Sequence, residues 1–226
     1  MGYYLLEGGA EFGGGMREPD LKAIELAGGF EAPIRIIPTA AAPDNNHRRA
    51  GNNGIRWFQS LGAEDVRSLP LIDQVSANDG SIVKSLREAK LIYMLGGFTG
   101  FLADTLRGSA AWQAVLDAYR NGAVVAGSSA GAMVMCEFYY DHRQAQIVPG
   151  LNLVPGAIVL PHYNTFGKSW ASRLLEISQL TLIGIDEETG MIDNGAPTWI
   201  VYGAGSITLY RNGLMETFPS GASFSL

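Results

Sequence analysis

Cysteine is nearly missing from this chain: Cys136 is the one example in 226 residues. An internal disulfide is thereby excluded, and so is a zinc site built from several cysteines. Cys136 follows Met133, Val134 and Met135 and reads as a core residue of an apolar helix. Histidine is almost as scarce, with His47, His142 and His162 making up the full set. No group of histidine, cysteine and acidic residues has the spacing of metal ligands, so neither a metal nor a cofactor is expected. Basic residues never run beyond the pair Arg48 and Arg49, and the formal net charge is −6. Nucleic acid and anionic membranes are therefore poor candidates as partners. No apolar run reaches the length of a membrane span. The opening residues lack the basic region and long apolar core of a secretory signal, so the cytoplasm is the default location.

What the chain does contain is an apolar run, Ala123 to Ala126, that breaks into Gly127-Ser128-Ser129-Ala130-Gly131-Ala132 and continues into helix-forming residues. A strand that ends in Gly-x-Ser-x-Gly and turns at once into a helix is the sequence form of a nucleophile elbow, which lifts one serine hydroxyl clear of the sheet. That serine is Ser129. Side chains at Gly127 or Gly131 would collide across so sharp a turn, and Ala130 keeps the approach to the hydroxyl open. The free N–H groups of the new helix point to the same place, where an oxyanion would develop. The competing reading of the same residues is a plain turn between strand and helix.

A serine nucleophile needs a base. His47 lies in a polar stretch that reads as a loop or helix start, and His142 in the charged cluster Asp141-His142-Arg143. His162 differs, because it ends the apolar run Ala157 to Pro161 and so sits at the mouth of a buried strand, where α/β enzymes place site residues. No histidine follows it, and the acids between Ser129 and His162 are Glu137 and Asp141, close to the elbow. The Ser, acid, late His order of an esterase-type α/β-hydrolase is thus disfavoured. A further apolar run, Leu182 to Ile185, ends in Asp186, Glu187 and Glu188.

In order along the chain, Leu95-Gly96-Gly97, the elbow, Leu160-Pro161-His162-Tyr163 and Gly184-Ile185-Asp186-Glu187 resemble the serine peptidase family of peptidase E and cyanophycinase, which has a class I glutamine amidotransferase-like fold. The resemblance covers about the middle half of the chain. It implies Ser129 as nucleophile and His162 as general base. Cyanophycinase-like members would take the orienting acid from Glu187, and peptidase E-like members from between Ser and His, which leaves Asp141 and Glu137, with Asp186 as a further alternative. Gly96 and Gly97 let backbone approach a substrate, and the N–H groups of Gly97 and Ala130 would together form a two-donor oxyanion hole. The chain departs from its relatives at Phe98-Thr99-Gly100-Phe101, where peptidase E-like members carry Gly-Gly-Asn-Thr and cyanophycinase-like members an acid plus Gln. Phe98 and Thr99 would thus present an aromatic contact in place of a polar one. Arg173 falls at about the interval at which the family carries an arginine that can grip an acidic side chain with two parallel hydrogen bonds; the alternative is an exposed helix arginine beside Glu176. Amidotransferases of this fold place cysteine at the elbow, so Ser129 argues against glutaminase chemistry.

Apolar runs at 3–6, 34–38, 91–95, 123–126, 157–160 and 182–185 alternate with helix-like stretches such as 53–61 and 111–120. Such alternation predicts an α/β fold with a mostly parallel sheet and helices on both faces. After Thr189 short β-branched and aromatic runs around an Arg211-Asn212-Gly213 turn predict a C-terminal antiparallel β-hairpin or meander appended to that sheet. A length of 226 residues with 47% hydrophobic content suits a single catalytic α/β domain over 1–226. Gly8 to Gly15 is glycine-rich but lacks the form of a phosphate or dinucleotide loop, and reads as an edge of the active site. The combined expectation is a serine peptidase acting on small peptides, and the family resemblance permits a homodimer. The rivals are a same-fold hydrolase of another amide or ester, and a non-catalytic ligand-binding relative.

Overall fold

A computed structural model describes residues 1–193, 195 and 198–226. Its centre is built from strands that are apolar on both sides: β1 (Tyr3–Glu7), β2 (Ile34–Ile37), β4 (Leu91–Met94) and β5 (Val124–Ser128), with the short β3 (Val66–Ser68) at one edge. Strands buried on both faces pair in parallel, and the order β1-β5-β4-β2-β3 is parallel throughout. Successive side chains face opposite ways. Leu5, Ile36 and Val124 therefore meet α1 (Arg17–Leu26) and α2 (His47–Ser60) in one core. Leu6, Ile37 and Val125 meet α3 (Gly80–Arg87), α4 (Thr99–Leu106), α5 (Ala110–Arg120) and α6 (Ala130–Met135) in the other. Asp79 and Ser109 cap α3 and α5 by accepting backbone N–H groups.

The free edge of β1 is taken by β10 (Thr189–Asp193), antiparallel, with Leu5 opposite Ile192. Beyond it lie β11 (Thr198–Gly203) and β14 (Ser223–Ser225), which completes an eight-stranded sheet.

Because β10 occupies that edge, β8 (Ala157–Leu160) and β9 (Thr181–Ile185) cannot join the large sheet as the sequence pattern suggested. They pair in parallel with each other and form a separate four-stranded sheet with β12 (Ser206–Arg211) and β13 (Leu214–Pro219). The C-terminal hairpin thus exists, turning through Asn212 and Gly213 at positive φ, but it extends the smaller sheet. One face of this sheet joins the main core through Val159, Ile183 and Leu209, and Ile158, Leu160 and Leu182 on the other pack under Ala171 and Leu174 of α7 (Lys168–Ile177). A separate hairpin, β6 (Phe138–Asp141) and β7 (Gln146–Pro149), stands between α6 and β8. Among the described residues no helix is long and apolar enough to cross a membrane.

Candidate active site

The turn from β5 to α6 is the sharp one that the sequence predicts, and it is strained. Ser129 adopts φ 49°, ψ −111°, a sparsely populated conformation costing on the order of 1–3 kcal/mol. A Cβ on Gly127 would lie 2.4 Å from the Gly131 carbonyl carbon, and one on Gly131 would lie 2.2 Å from the carbonyl oxygen of Met94. Both glycines are therefore required by contact. Cys136 is buried just beyond the end of α6, and burial pushes its thiol up to about 12, which removes it as a rival nucleophile.

His162 follows β8 in a left-handed conformation (φ 50°) and brings its ring over the elbow, with Nε2 3.0 Å from Ser129 Oγ. Its Nδ1 lies 2.7 Å from Glu187 Oε1. With the ring proton on Nδ1, the imidazole donates to Glu187 and Nε2 accepts from the Ser129 hydroxyl. Glu187 is fixed in turn: its N–H donates to Asn164 Oδ1 (2.9 Å), and the Thr165 hydroxyl reaches its carboxylate at 3.4 Å. The other acids considered at the sequence level are engaged elsewhere. Asp186 accepts from the Ser206 N–H and hydroxyl, Asp141 from the N–H groups of Arg143 and Gln144 in its own hairpin, and Glu137 from Gly156 N–H.

The end of β1 ties these parts together. The carbonyl of Glu7 accepts Ser129 N–H (3.0 Å), that of Gly8 accepts His162 N–H (2.7 Å), and that of Gly9 accepts Glu188 N–H (3.1 Å). Three consecutive peptide groups thus hold the three loops that carry Ser129, His162 and Glu187. This close approach needs glycine: a Cβ on Gly8 would lie 2.1 Å from the Asp186 carbonyl oxygen, and one on Gly9 2.2 Å from His162 Cε1. The glycine-rich segment was visible in the sequence as an edge loop, but not its role as the clamp.

Gly97 has φ +136°, and a Cβ there would strike the Ala40 carbonyl oxygen at 2.3 Å. Phe98 N–H donates to that carbonyl, whereas among the described residues the N–H groups of Gly97 and Ala130 have no backbone acceptor outside regular elements. From Gly97 a cleft of about 240 Å³ runs between the start of α4 and the β6–β7 hairpin, with Phe98 and Thr99 on one wall and Tyr139, His142 and Arg143 on the other. The Arg143 guanidinium lies 4.8 Å over the Phe98 ring. An aromatic series links His162 to the hairpin: His162 stacks on Phe166 (4.8 Å), Phe166 meets Trp170 (5.6 Å), and Trp170 stacks on His142 (5.2 Å). Arg173 is not part of this rim. It is exposed on α7 and makes no ion pair with Glu176 among the described residues.

Behind the elbow lies a buried acidic group that the sequence did not reveal. Glu7 and Asp20 are fully buried. Glu7 accepts from the Tyr93 hydroxyl, and Asp20 from the Trp57 indole N–H at 2.7 Å. Burial, and for Glu7 the neighbouring Asp20 charge, raises both carboxyls above their ordinary range.

Residues 5–196 match the profile of Peptidase family S51. The cyanophycinase of a Nostoc species is 28% identical over 218 residues, covering 91% of this chain and 72% of the relative. That of Geminocystis herdmanii is 27% identical over 223 residues, covering 91% and 79%. Among solved structures, a peptidase from an acI-B1 Actinobacterium superposes with a TM-score of 0.90 at 30% identity, covering 100% of this chain and 97% of that one. A putative peptidase E protein from Listeria monocytogenes superposes with a TM-score of 0.68 at 23% identity, covering 91% and 100%, a likeness of fold.

Proposed function

The chain belongs to peptidase family S51, and on that premise we propose that it hydrolyses peptide or isopeptide bonds of small peptides through Ser129, His162 and Glu187. The observation that carries this reading is the continuous relay Ser129 Oγ, His162 Nε2, His162 Nδ1, Glu187 Oε1, with separations of 3.0 and 2.7 Å. Ser129 Oγ attacks the carbonyl carbon while its proton passes to His162 Nε2. Glu187 accepts from Nδ1–H, which fixes the tautomer and stabilises the imidazolium. The carbonyl oxygen, now an oxyanion, accepts from the N–H groups of Gly97 and Ala130; a donor of this kind is worth about 10²–10³ in kcat. The C–N bond then breaks, His162 returns its proton to the leaving amine, and water attacks the acyl-Ser129 ester by the same route.

For recognition, Arg143 rather than Arg173 borders the cleft that starts at Gly97. An acidic substrate group would pair with its guanidinium while the adjoining carbons pack on Phe98. The aromatic wall also supports a second reading, in which the same machinery acts on an apolar amide or ester.

The test is release of amino acids from a panel of dipeptides, α- and β-aspartyl ones included, by the wild type and by Ser129→Ala. The expected result is turnover that the variant loses by a factor of about 10⁴ or more. Absence of turnover across the panel, with a fluorophosphonate still labelling Ser129, would transfer the assignment to another amide or ester. Absence of both would overturn the enzymatic reading.

A further inference from the structure

Phe166 has no polar side-chain atom to offer the reaction, yet the backbone after His162 brings its ring against the imidazole. Tyr163–Gly167 form a single π-helical turn, a rare conformation that occurs mostly as isolated turns and frequently at functional sites. In it the N–H groups of Thr165, Phe166 and Gly167 all donate to the His162 carbonyl, at 3.0, 3.1 and 3.0 Å. Gly167 is required by contact, since a Cβ there would lie 2.0 Å from the Pro161 carbonyl oxygen. The Phe166 ring consequently lies 4.8 Å from that of His162, centre to centre, with 24° between the planes.

The imidazole is thereby held on both faces. A Cβ on Gly9 would stand 2.2 Å from Cε1, 2.6 Å from Nε2 and 2.7 Å from Nδ1. A point in the plane of the ring at that distance from Cε1 would be farther from both nitrogens, so Gly9 lies over a ring face. That face has no room for a stacked ring, which leaves the other to Phe166. Phe166 is backed in turn by Trp170 (5.6 Å), and Trp170 by His142 and Tyr140 of the β6–β7 hairpin (5.2 and 5.6 Å). The hydrogen bond to Glu187 fixes the Nδ1 corner, and the His162 side chain keeps 20% of its exposure. With nothing on its outer face, the ring could tilt about that corner towards solvent and carry Nε2 away from Ser129.

We infer that Phe166 is a positioning residue that braces the His162 imidazole against Gly9 and so keeps Nε2 on the Ser129 hydroxyl. The inference rests on the roles given to Ser129, His162 and Glu187 above, but not on the substrate being a peptide. The competing role for a half-exposed aromatic beside the site is a contact with substrate. That role would act on binding and leave the reactivity of Ser129 towards a small reagent untouched.

Two readouts separate the roles: kcat and KM for a dipeptide that the wild type cleaves, and the rate at which diisopropyl fluorophosphate, a reagent too small to need a peptide pocket, labels Ser129. Each is measured for the wild type, Phe166→Ala and Phe166→Tyr, with thermal melting to report folding. In Phe166→Ala both kcat and the labelling rate should fall by about 10- to 100-fold, as a misplacement of up to about 1 Å would cause, with KM little changed. Phe166→Tyr keeps the ring and should restore both. Labelling of Phe166→Ala at the wild-type rate would overturn the inference, and a raised KM alongside it would make Phe166 a substrate contact. Equal losses in folded Phe166→Ala and Phe166→Tyr would overturn it too, since the ring would then not be what matters. If the wild type is labelled but cleaves no dipeptide, the peptidase reading fails and the labelling rates alone decide the role of Phe166. If it is neither labelled nor active, both fall together.

Discussion

Gly9 is the residue at which structure and chemistry are most directly coupled. The missing side chain makes room for the His162 ring, since an added Cβ would stand 2.2 Å from Cε1 and 2.6 Å from Nε2. The obstacle is a side chain, so Gly9→Ala has a way out that Gly8→Ala lacks, whose Cβ would meet the backbone carbonyl of Asp186 at 2.1 Å. In Gly9→Ala the imidazole must swing away from Ser129, and a displacement of about 1 Å can lower the rate about 10²-fold. The expected outcome is a folded protein whose kcat falls by about two orders of magnitude or more, checked by parallel melting curves and steady-state kinetics. Retention of wild-type kcat would show that the ring has more freedom than the packing around Gly9 allows.

At the scale of elements, the β6–β7 hairpin supplies Arg143 and His142 to the mouth of the site, and α7 supplies Phe166's neighbour Trp170. If Arg143 reads an acidic substrate group, Arg143→Ala should lower kcat/KM for acidic dipeptides about 10- to 100-fold, mostly through KM. Neutral dipeptides should change little, and Arg173→Ala, an exposed substitution, should be close to silent on both. Equal losses on acidic and neutral dipeptides would point instead to a general packing role on Phe98. This hairpin was hidden in the sequence because Asp141, His142 and Arg143 read as a surface cluster, and only pairing with Gln146–Pro149 turns them into a rim. The strand Thr189–Asp193 was hidden for a similar reason. Its Gly190 and flanking acids look like a turn, and its strand character comes from pairing with β1 more than 180 residues away in the chain. By contrast β1, β2, β4, β5, β8 and β9 were legible because each is a short apolar run buried on both sides. Ser129, His162 and Glu187 were legible for a related reason, since each follows the end of such a run. The contacts of Glu7, Gly8 and Gly9 with three distant loops have no local pattern to betray them.

For the molecule as a whole, the carboxyls around β1 determine how stability should vary with pH. Glu7 and Asp20 are raised by burial, and Asp193, which accepts Tyr4 N–H at 2.8 Å, is raised by burial to about 6. In the unfolded chain all three return to ordinary values near 4. Between about pH 4 and 6 for Asp193, and higher for the buried pair, the folded protein therefore holds more protons than the unfolded one. Stability falls with rising pH wherever that is so. The contribution of these groups is fully present below about pH 4 and is lost as pH rises through their folded values. Asp65 acts in the opposite sense, because the hydrogen-bonded Arg35 holds its carboxyl below the usual range, and its contribution is lost only in acid. The thermal midpoint should thus be higher near pH 5 than near pH 8, and Glu7→Gln combined with Asp20→Asn should flatten that slope. A midpoint that rises steadily from pH 5 to pH 8 would mean that the buried carboxyls are ionised in the folded state and compensated by a group not facing them here.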